Sequence, residues 1–356
     1  MTIKQTDARS LLSRLQESQD GLGAAGVALS VVAPCFNEFA TLPELHRRVA
    51  KVCQTQAGDD HEIVLINDGS SDGTWSAILA LAAADPHVVG VNLSRNHGHQ
   101  LALSAGLTVC RGRRVLIIDA DLQDPPELLP QMMALMDDGA DVVYGQRESR
   151  SGETWFKRMS AAAFYRLLRR MVDIEIPLDT GDFRLINRRA LDILNAMPEQ
   201  HRFIRGMVSW IGLDQRPVVY RRDKRFAGET KYPLRRMLKF AVDAITGFSI
   251  QPLRAAVHLG VLFGLGSLAL LLFTLYGWLA GETVTGWTSL MTVILLLGSV
   301  QLLVLGVIGE YLGRLYLESK HRPLFVIDRV VRSEADAQSI SAPAAASLPA
   351  PREMPR

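Results

Sequence analysis

Along the first half of the chain, short apolar runs alternate with stretches in which apolar residues recur at helical spacing. The runs fall at 27–33, 62–67, 88–93, 115–118 and 141–145, and the helical patterns near 41–54, 74–84, 98–110 and 126–137. Runs this short, without polar alternation, fit strands buried on both faces. Strand then helix, repeated, predicts an α/β domain with a mainly parallel, doubly wound sheet. Thr41-Leu42-Pro43-Glu44 reads as a capping box. Asp124, ahead of Pro125-Pro126-Glu127, reads as a second helix cap.

The pattern changes after about residue 150. A basic, largely helical insert places Phe156, Met159, Ala163, Phe164, Leu167 and Met171 on one face. It leads to Asp179-Thr180-Gly181-Asp182-Phe183-Arg184 and then a basic loop, Arg221 to Lys231. From Tyr232 to Ser249 an apolar stripe (Leu234, Met237, Leu238, Ala241, Ile245, Phe248) opposes Arg235, Arg236 and Lys239, as in an interfacial helix. Ala255–Ala280 and Trp287–Ile308 then each exceed the ~20 residues needed to cross a bilayer. The short link between them carries no basic residue, whereas Arg254 precedes the first span and Arg314, Lys320 and Arg322 follow the second. The positive-inside rule puts both flanks, and the large domain, in the cytoplasm.

The chain thus divides into a polar lead-in (1–25), a cytoplasmic catalytic domain (26–231) and an interfacial helix (232–253). A transmembrane hairpin (254–313, spans near 255–280 and 287–312), a juxtamembrane segment (314–332) and a disordered Ala/Pro/Ser tail (333–356) complete it. A net charge of +2 gives no basic field for nucleic acid. Three cysteines without CxxC spacing suit reduced thiols rather than disulfides or zinc. The GxGxxG match at 21–26 precedes a strand, whereas a dinucleotide fingerprint follows one.

The chemistry gathers in the turns after the strands: Pro34 to Glu38, Asn67 to Thr74, Asp119 to Asp124, and Gly145-Gln146-Arg147. In open α/β sheets this rim is the ligand crevice. Asp119, Asp121 and Gln123 offer hard oxygen ligands at alternating positions, suited to Mg²⁺ or Mn²⁺ holding a diphosphate. The alternative is a solvated turn. His97 and His99 have no acidic neighbours at ligand spacing and read as loop residues.

At these residues the chain resembles the membrane-bound family 2 glycosyltransferases that load sugars onto polyprenyl phosphates, in particular the bactoprenol glucosyltransferases. The resemblance covers about residues 28–320 and implies a GT-A fold, Rossmann-like in layout. It implies nucleotide contacts from Pro34, Phe36 and Glu38, with Phe36 where many relatives have tyrosine. Ile66 and Asp68 become the base-binding pair, and Asp119 and Ala120 line ribose and diphosphate. Asp121 and Gln123 become metal ligands with Asp119, and Arg147, Arg225 and Lys231 phosphate contacts. Asp182 matches the position that orients or deprotonates the acceptor, and Arg184 is placed to clamp its phosphate; Asp182 and Arg184 equally suit a pair that pins a turn. The implied activity is inverting transfer of a hexose, glucose first, from a UDP-sugar to undecaprenyl phosphate at the inner membrane, and a homo-oligomer is compatible with it. GDP-mannose or UDP-GlcNAc are alternative donors, and a silent nucleotide-sugar-binding regulator is the alternative class. A processive polysaccharide synthase would need more membrane helices.

Overall fold

A computed structural model describes residues 26–148, 180–221, 249, 251–280 and 286–332. The strands are β1 (Leu29–Cys35), β2 (His61–Asn67), β3 (Val88–Leu93), β4 (Arg114–Ile117), β5 (Val142–Arg147), β6 (Thr180–Asn187), β7 (Gln215–Tyr220) and β8 (Ile327–Val331). The helices are α1 (Leu42–Ala57), α2 (Thr74–Ala84), α3 (His99–Val109), α4 (Leu129–Asp137), α5 (Arg188–Ala196), α6 (Ile204–Ile211), α7 (Gln251–Leu279) and α8 (Trp287–Ser319).

All eight strands form one sheet in the order β7-β5-β6-β4-β1-β2-β3-β8. The apolar runs do form its centre: β1 pairs in parallel with β2 and β4, and β2 with β3. Every residue of β1 and β2 is buried. The sheet is mainly parallel, as expected, with β7 also parallel to β5, but it is mixed. β6 enters antiparallel between β4 and β5, and β8 runs antiparallel along β3.

Strand side chains alternate between two apolar layers, as a period of two requires. Val31, Ala33, Ile63, Leu65, Leu116 and Ile118 face α1 and α4, meeting Leu45, Val49, Met132 and Met136. Val32, Val64, Ile66, Val115 and Ile117 face α3, α5 and α6, meeting Leu103, Leu107, Leu191, Leu194 and Met207. The result is a helix–sheet–helix sandwich. Helix α3 lies so close to the sheet that a Cβ on Gly106 would come within 2.5 Å of Ile66 and Val32. The three cysteines are buried and unbridged.

Two expected caps take other roles. Thr41 does sit at the start of α1, but its hydroxyl donates to the Glu38 carbonyl (2.9 Å) and carboxylate (2.8 Å) instead of receiving the helix N–H. Asp124 is no cap at all: it is fully buried, accepts from the Tyr220 hydroxyl and lies 3.8 Å from Arg147. Glu127 instead pairs with Arg48 on α1.

Helices α7 and α8 pack against each other. Their flanks carry exposed Leu262, Leu265, Leu272, Phe273, Leu302 and Leu312. By length and composition, Leu296–Ser319 is the one stretch among the described residues that meets the criteria for a membrane span, with mean hydropathy 1.6. Glu310 and Arg314, one helical turn apart on α8, pair at 3.1 Å. The expected juxtamembrane segment is more ordered than its sequence suggests: after α8 the chain re-enters the domain as β8, with Phe325 and Ile327 against the core. The helical insert around 155–171, the interfacial helix at 232–248 and the glycine motif before Gly26 lie outside the described residues.

Candidate active site

The parallel register brings the ends of β1, β2 and β4 to one rim. The turns after β1 and β2 are laced together. Asn37 N–H donates to Ser70 Oγ (3.0 Å), Ser71 N–H to Asn37 Oδ1 (3.0 Å), and Glu38 N–H to Thr74 Oγ1 (2.9 Å). Pro34 and Ile66 are buried as neighbours across β1 and β2, while the Phe36 ring stands 48% exposed, free to lie on a planar ligand.

Asp68 is buried and anchors the next loop, accepting from the backbone N–H of His97 (2.7 Å) and Gly98 (3.0 Å). Burial nevertheless holds its pKa above the ordinary aspartate value. Each oxygen keeps a second lone pair, so this anchoring is compatible with accepting from a base N–H. Gly69 (φ +63°) is required here: a Cβ would meet the Asn96 nitrogen at 2.4 Å.

In the turn after β4, Leu122 adopts a left-handed conformation (φ 59°). This folds Gln123 N–H back onto Asp121 Oδ1 at 3.1 Å. Ala120 and Asp121 are buried and Asp119 is part-exposed. Antiparallel β6 then adds what linear spacing hid. Ile117 pairs with Arg184, so two residues further on Asp119 comes beside Asp182. His99, the first residue of α3, reaches both acids: Nε2 lies 3.4 Å from Asp119 and 3.2 Å from Asp182. His99 is therefore a site residue and not a loop histidine. Ligand atoms of His99, Asp119 and Asp182 all lie within 4.8 Å of one another.

Electrostatics at this cluster follow from burial and crowding. Asp119 is pushed up to about 6, first by burial and then by the Asp182, Asp124 and Asp121 carboxylates. His99 moves up as well, because Asp182 and Asp119 outweigh the burial of its imidazolium. Asp182 is buried, yet the Arg205 guanidinium and His99 hold it well below the ordinary carboxylate range. A nitrogen and two carboxylates at this separation suit a divalent cation such as Mn²⁺ or Mg²⁺.

Arg184 does not point outward. It is buried, donates to the carbonyls of Gly181 (3.0 Å) and Asp182 (3.3 Å), and is lowered to about 10 by that burial. It pins the turn, which leaves Asp182 to face the site. Arg147 lies over Gly181, where a Cβ would sit 2.6 Å from its Nη2. Arg225 and Lys231 fall outside the described residues. Two site residues escaped sequence reading. Gln100 donates to Asp182 at 3.0 Å, and Arg205 does so at 2.8 Å from α6. Nothing in their spacing from Asp182 signals the contact.

A rim of this kind on a mixed α/β sheet fits a glycosyltransferase, and comparison with known proteins gives the family. Residues 30–194 match the model described as Glycosyl transferase family 2, and residues 251–315 that described as GtrB C-terminal hairpin. The chain belongs to family 2 of the glycosyltransferases. It is 44% identical to an uncharacterized glycosyltransferase, YkcC, of Bacillus subtilis, over 85% of this chain and 94% of that protein. It is 38% identical to a prophage bactoprenol glucosyl transferase homolog of Escherichia coli, over 85% and 99%. Among solved structures, glucosyl-3-phosphoglycerate synthase from Mycobacterium tuberculosis, in complex with Mn²⁺ and UDP-glucose, matches at 20% identity and TM-score 0.40, over 62% and 78%.

Proposed function

We propose that the protein transfers a glucosyl group from UDP-glucose to polyprenyl phosphate at the cytoplasmic face of a membrane, with inversion at the anomeric carbon. The observation that carries this reading is the extent of the similarity. Identity to the bactoprenol glucosyl transferase homolog spans the sheet domain and the hairpin together, nearly the whole of that relative. The fold adds support: β8, which follows the apolar helix, is paired into the same sheet as the site. The end of the α7–α8 hairpin therefore returns to the domain, as a hairpin crossing twice from one side requires. At 29 residues α7 is about 43 Å long, ample for a ~30 Å hydrocarbon core.

In this reading Phe36, Ile66 and Asp68 hold the base, and Arg147 the diphosphate with Arg225 and Lys231. A divalent cation, Mg²⁺ or Mn²⁺, would be held by Asp119 together with His99, Asp182, Asp121 and Gln123, and would neutralise the departing diphosphate. The acceptor is a phosphate monoester with a second pKa near ~6, already ionised at pH 7, and needs no strong base. Asp182 suits that requirement. Arg205 and His99 keep it ionised with little affinity for a proton, so it orients the acceptor side. Arg184 acts beneath it as the pin of the turn.

Membranes carrying the protein, given radiolabelled UDP-glucose and undecaprenyl phosphate, should yield label extractable into organic solvent. Label that stays aqueous, with nucleotide sugar bound but unconverted, would support the rival reading of a silent regulator. A panel with GDP-mannose and UDP-GlcNAc identifies the donor.

A further inference from the structure

Asp182 is the meeting point of three parts of the molecule. From α3 come His99 (3.2 Å) and Gln100 (3.0 Å). From α6 comes Arg205, which takes both carboxylate oxygens (2.8 and 3.4 Å) and also donates to the Thr180 carbonyl at 3.1 Å. This fork staples the start of β6 to the start of α6. The segment leading into α6 is itself fixed. Buried Arg202 donates to the carbonyls of Met197 (2.7 Å) and Leu194 (3.0 Å), closing the end of α5, and Ile204 N–H donates to Gln100 Oε1 at 2.9 Å.

The same segment is docked on the end of the last long helix. Gln200 N–H donates to Glu318 Oε1 (2.8 Å), and Gln200 Nε2 to the Arg322 carbonyl (3.0 Å). A short, rigid route therefore runs from the end of α8 through Gln200 to Arg205 and on to Asp182. Arg205 is 31% exposed while the carboxylate it holds is 3% exposed, so the guanidinium lies on the solvent side of that carboxylate.

We infer that Arg205 is a positioning residue for the lipid acceptor: acting through Asp182, it sets the acceptor side of the site in register with the end of α8. This rests on the acceptor being a lipid phosphate delivered along the hairpin. A planar two-point fork fixes both the place and the tilt of a carboxylate, which a lysine point charge does not. Misplacing a reacting group by about 1 Å costs on the order of 10²-fold in rate.

The test uses the full-length protein in detergent or nanodiscs, with UDP-glucose and undecaprenyl phosphate. If the wild-type protein makes no glycolipid, the proposed function fails and Arg205 is not at issue. With wild-type activity in hand, Arg205→Ala is expected to lose about 10²-fold in kcat/KM for the acceptor. UDP-glucose affinity should hold within about twofold, and added guanidinium at tens of millimolar should restore about tenfold in Arg205→Ala but not in wild type. Wild-type acceptor kinetics, an equal loss of donor affinity, or a folded Arg205→Ala that guanidinium does not restore would each overturn the inference. Should Arg205→Ala fail to fold, Arg205→Lys is read by the same acceptor-against-donor split: wild-type kinetics overturn the inference, and acceptor-selective loss supports it.

Discussion

Tyr220→Phe tests the least expected feature of the site, a buried carboxylate beneath the Asp119–Gln123 turn. Tyr220 ends β7, at the edge of the sheet, and its ring meets Phe183 edge-on at 5.7 Å between centroids. Its hydroxyl donates to Asp124, which has no exposed surface, and burial beside that carboxylate raises the phenol pKa, so it stays a donor. The substitution keeps the ring and deletes one oxygen. Hydrogen bonds to charged groups contribute about 1.5–3 kcal/mol. Arg147, 3.8 Å away and a quarter exposed, takes up part of the loss. The expected cost is about 1–3 kcal/mol, or roughly 2–12 °C in Tm at ~2–4 °C per kcal/mol for a domain of this size.

The assay is thermal unfolding of detergent-purified protein, run as a cycle with Asp124→Asn so that the coupling between the two groups is isolated. An ordinary surface cap at Asp124 would leave Tyr220→Phe silent. A shift within about 0.5 kcal/mol, with no coupling in the double variant, would refute the buried-anchor reasoning and return Asp124 to the role its sequence context suggests.

Four further outcomes follow from the geometry. Asp121→Asn should abolish donor-dependent glycolipid formation with membrane insertion intact, and His99→Ala should weaken Mn²⁺ binding about 10-fold or more, measured by electron paramagnetic resonance; wild-type values would remove either residue from the cation site. Burial lowers the pKa of His61, which stacks on His87 at 4.2 Å. The unfolded histidine therefore takes up its proton first as pH falls, so stability held above about pH 6.5 should decline below it, and His61→Phe should flatten that part of a Tm-against-pH curve. Gly106→Ala drives a methyl to 2.5 Å from Ile66 and Val32; overpacking of about 1–3 kcal/mol should exceed the ~1 kcal/mol gained in helix propensity, read as a lowered Tm.

The parallel half of the fold was legible because each of its strands is buried on both faces and is followed at once by a helix that covers it. Local pattern and global position agree there, so 62–67 and 88–93 fall within a residue of β2 and β3. The strands outside that half obey a different logic. β6 begins with Thr180-Gly181-Asp182, polar residues that linear reading assigns to a loop, and becomes a strand because β4 and β5 offer it two edges. β7 carries Pro217 and two arginines nearby, tolerable on an edge that no further strand must pair. β8 lies beyond an apolar helix, where the chain has every appearance of leaving the domain, and only the free edge of β3 brings it back.

The site divides along the same line. Asp68, Asp119 and Asp121 stand at the ends of parallel strands and announce themselves by position. His99, Gln100 and Arg205 do not, because what assembles them is the insertion of β6 beside β4. That insertion also changes the electrostatic problem. With only the turn after β4, the acids would face solvent and remain ionised on their own. Once β6 buries Asp182 beside Asp119, two carboxylates share a space that one of them must leave neutral unless a cation enters. Arg205 settles which one: it holds the charge on Asp182, so Asp119, itself buried, is the acid whose pKa is raised. The guanidinium on α6 thereby decides which acid keeps its charge, and ties that choice to the segment docked on the end of α8.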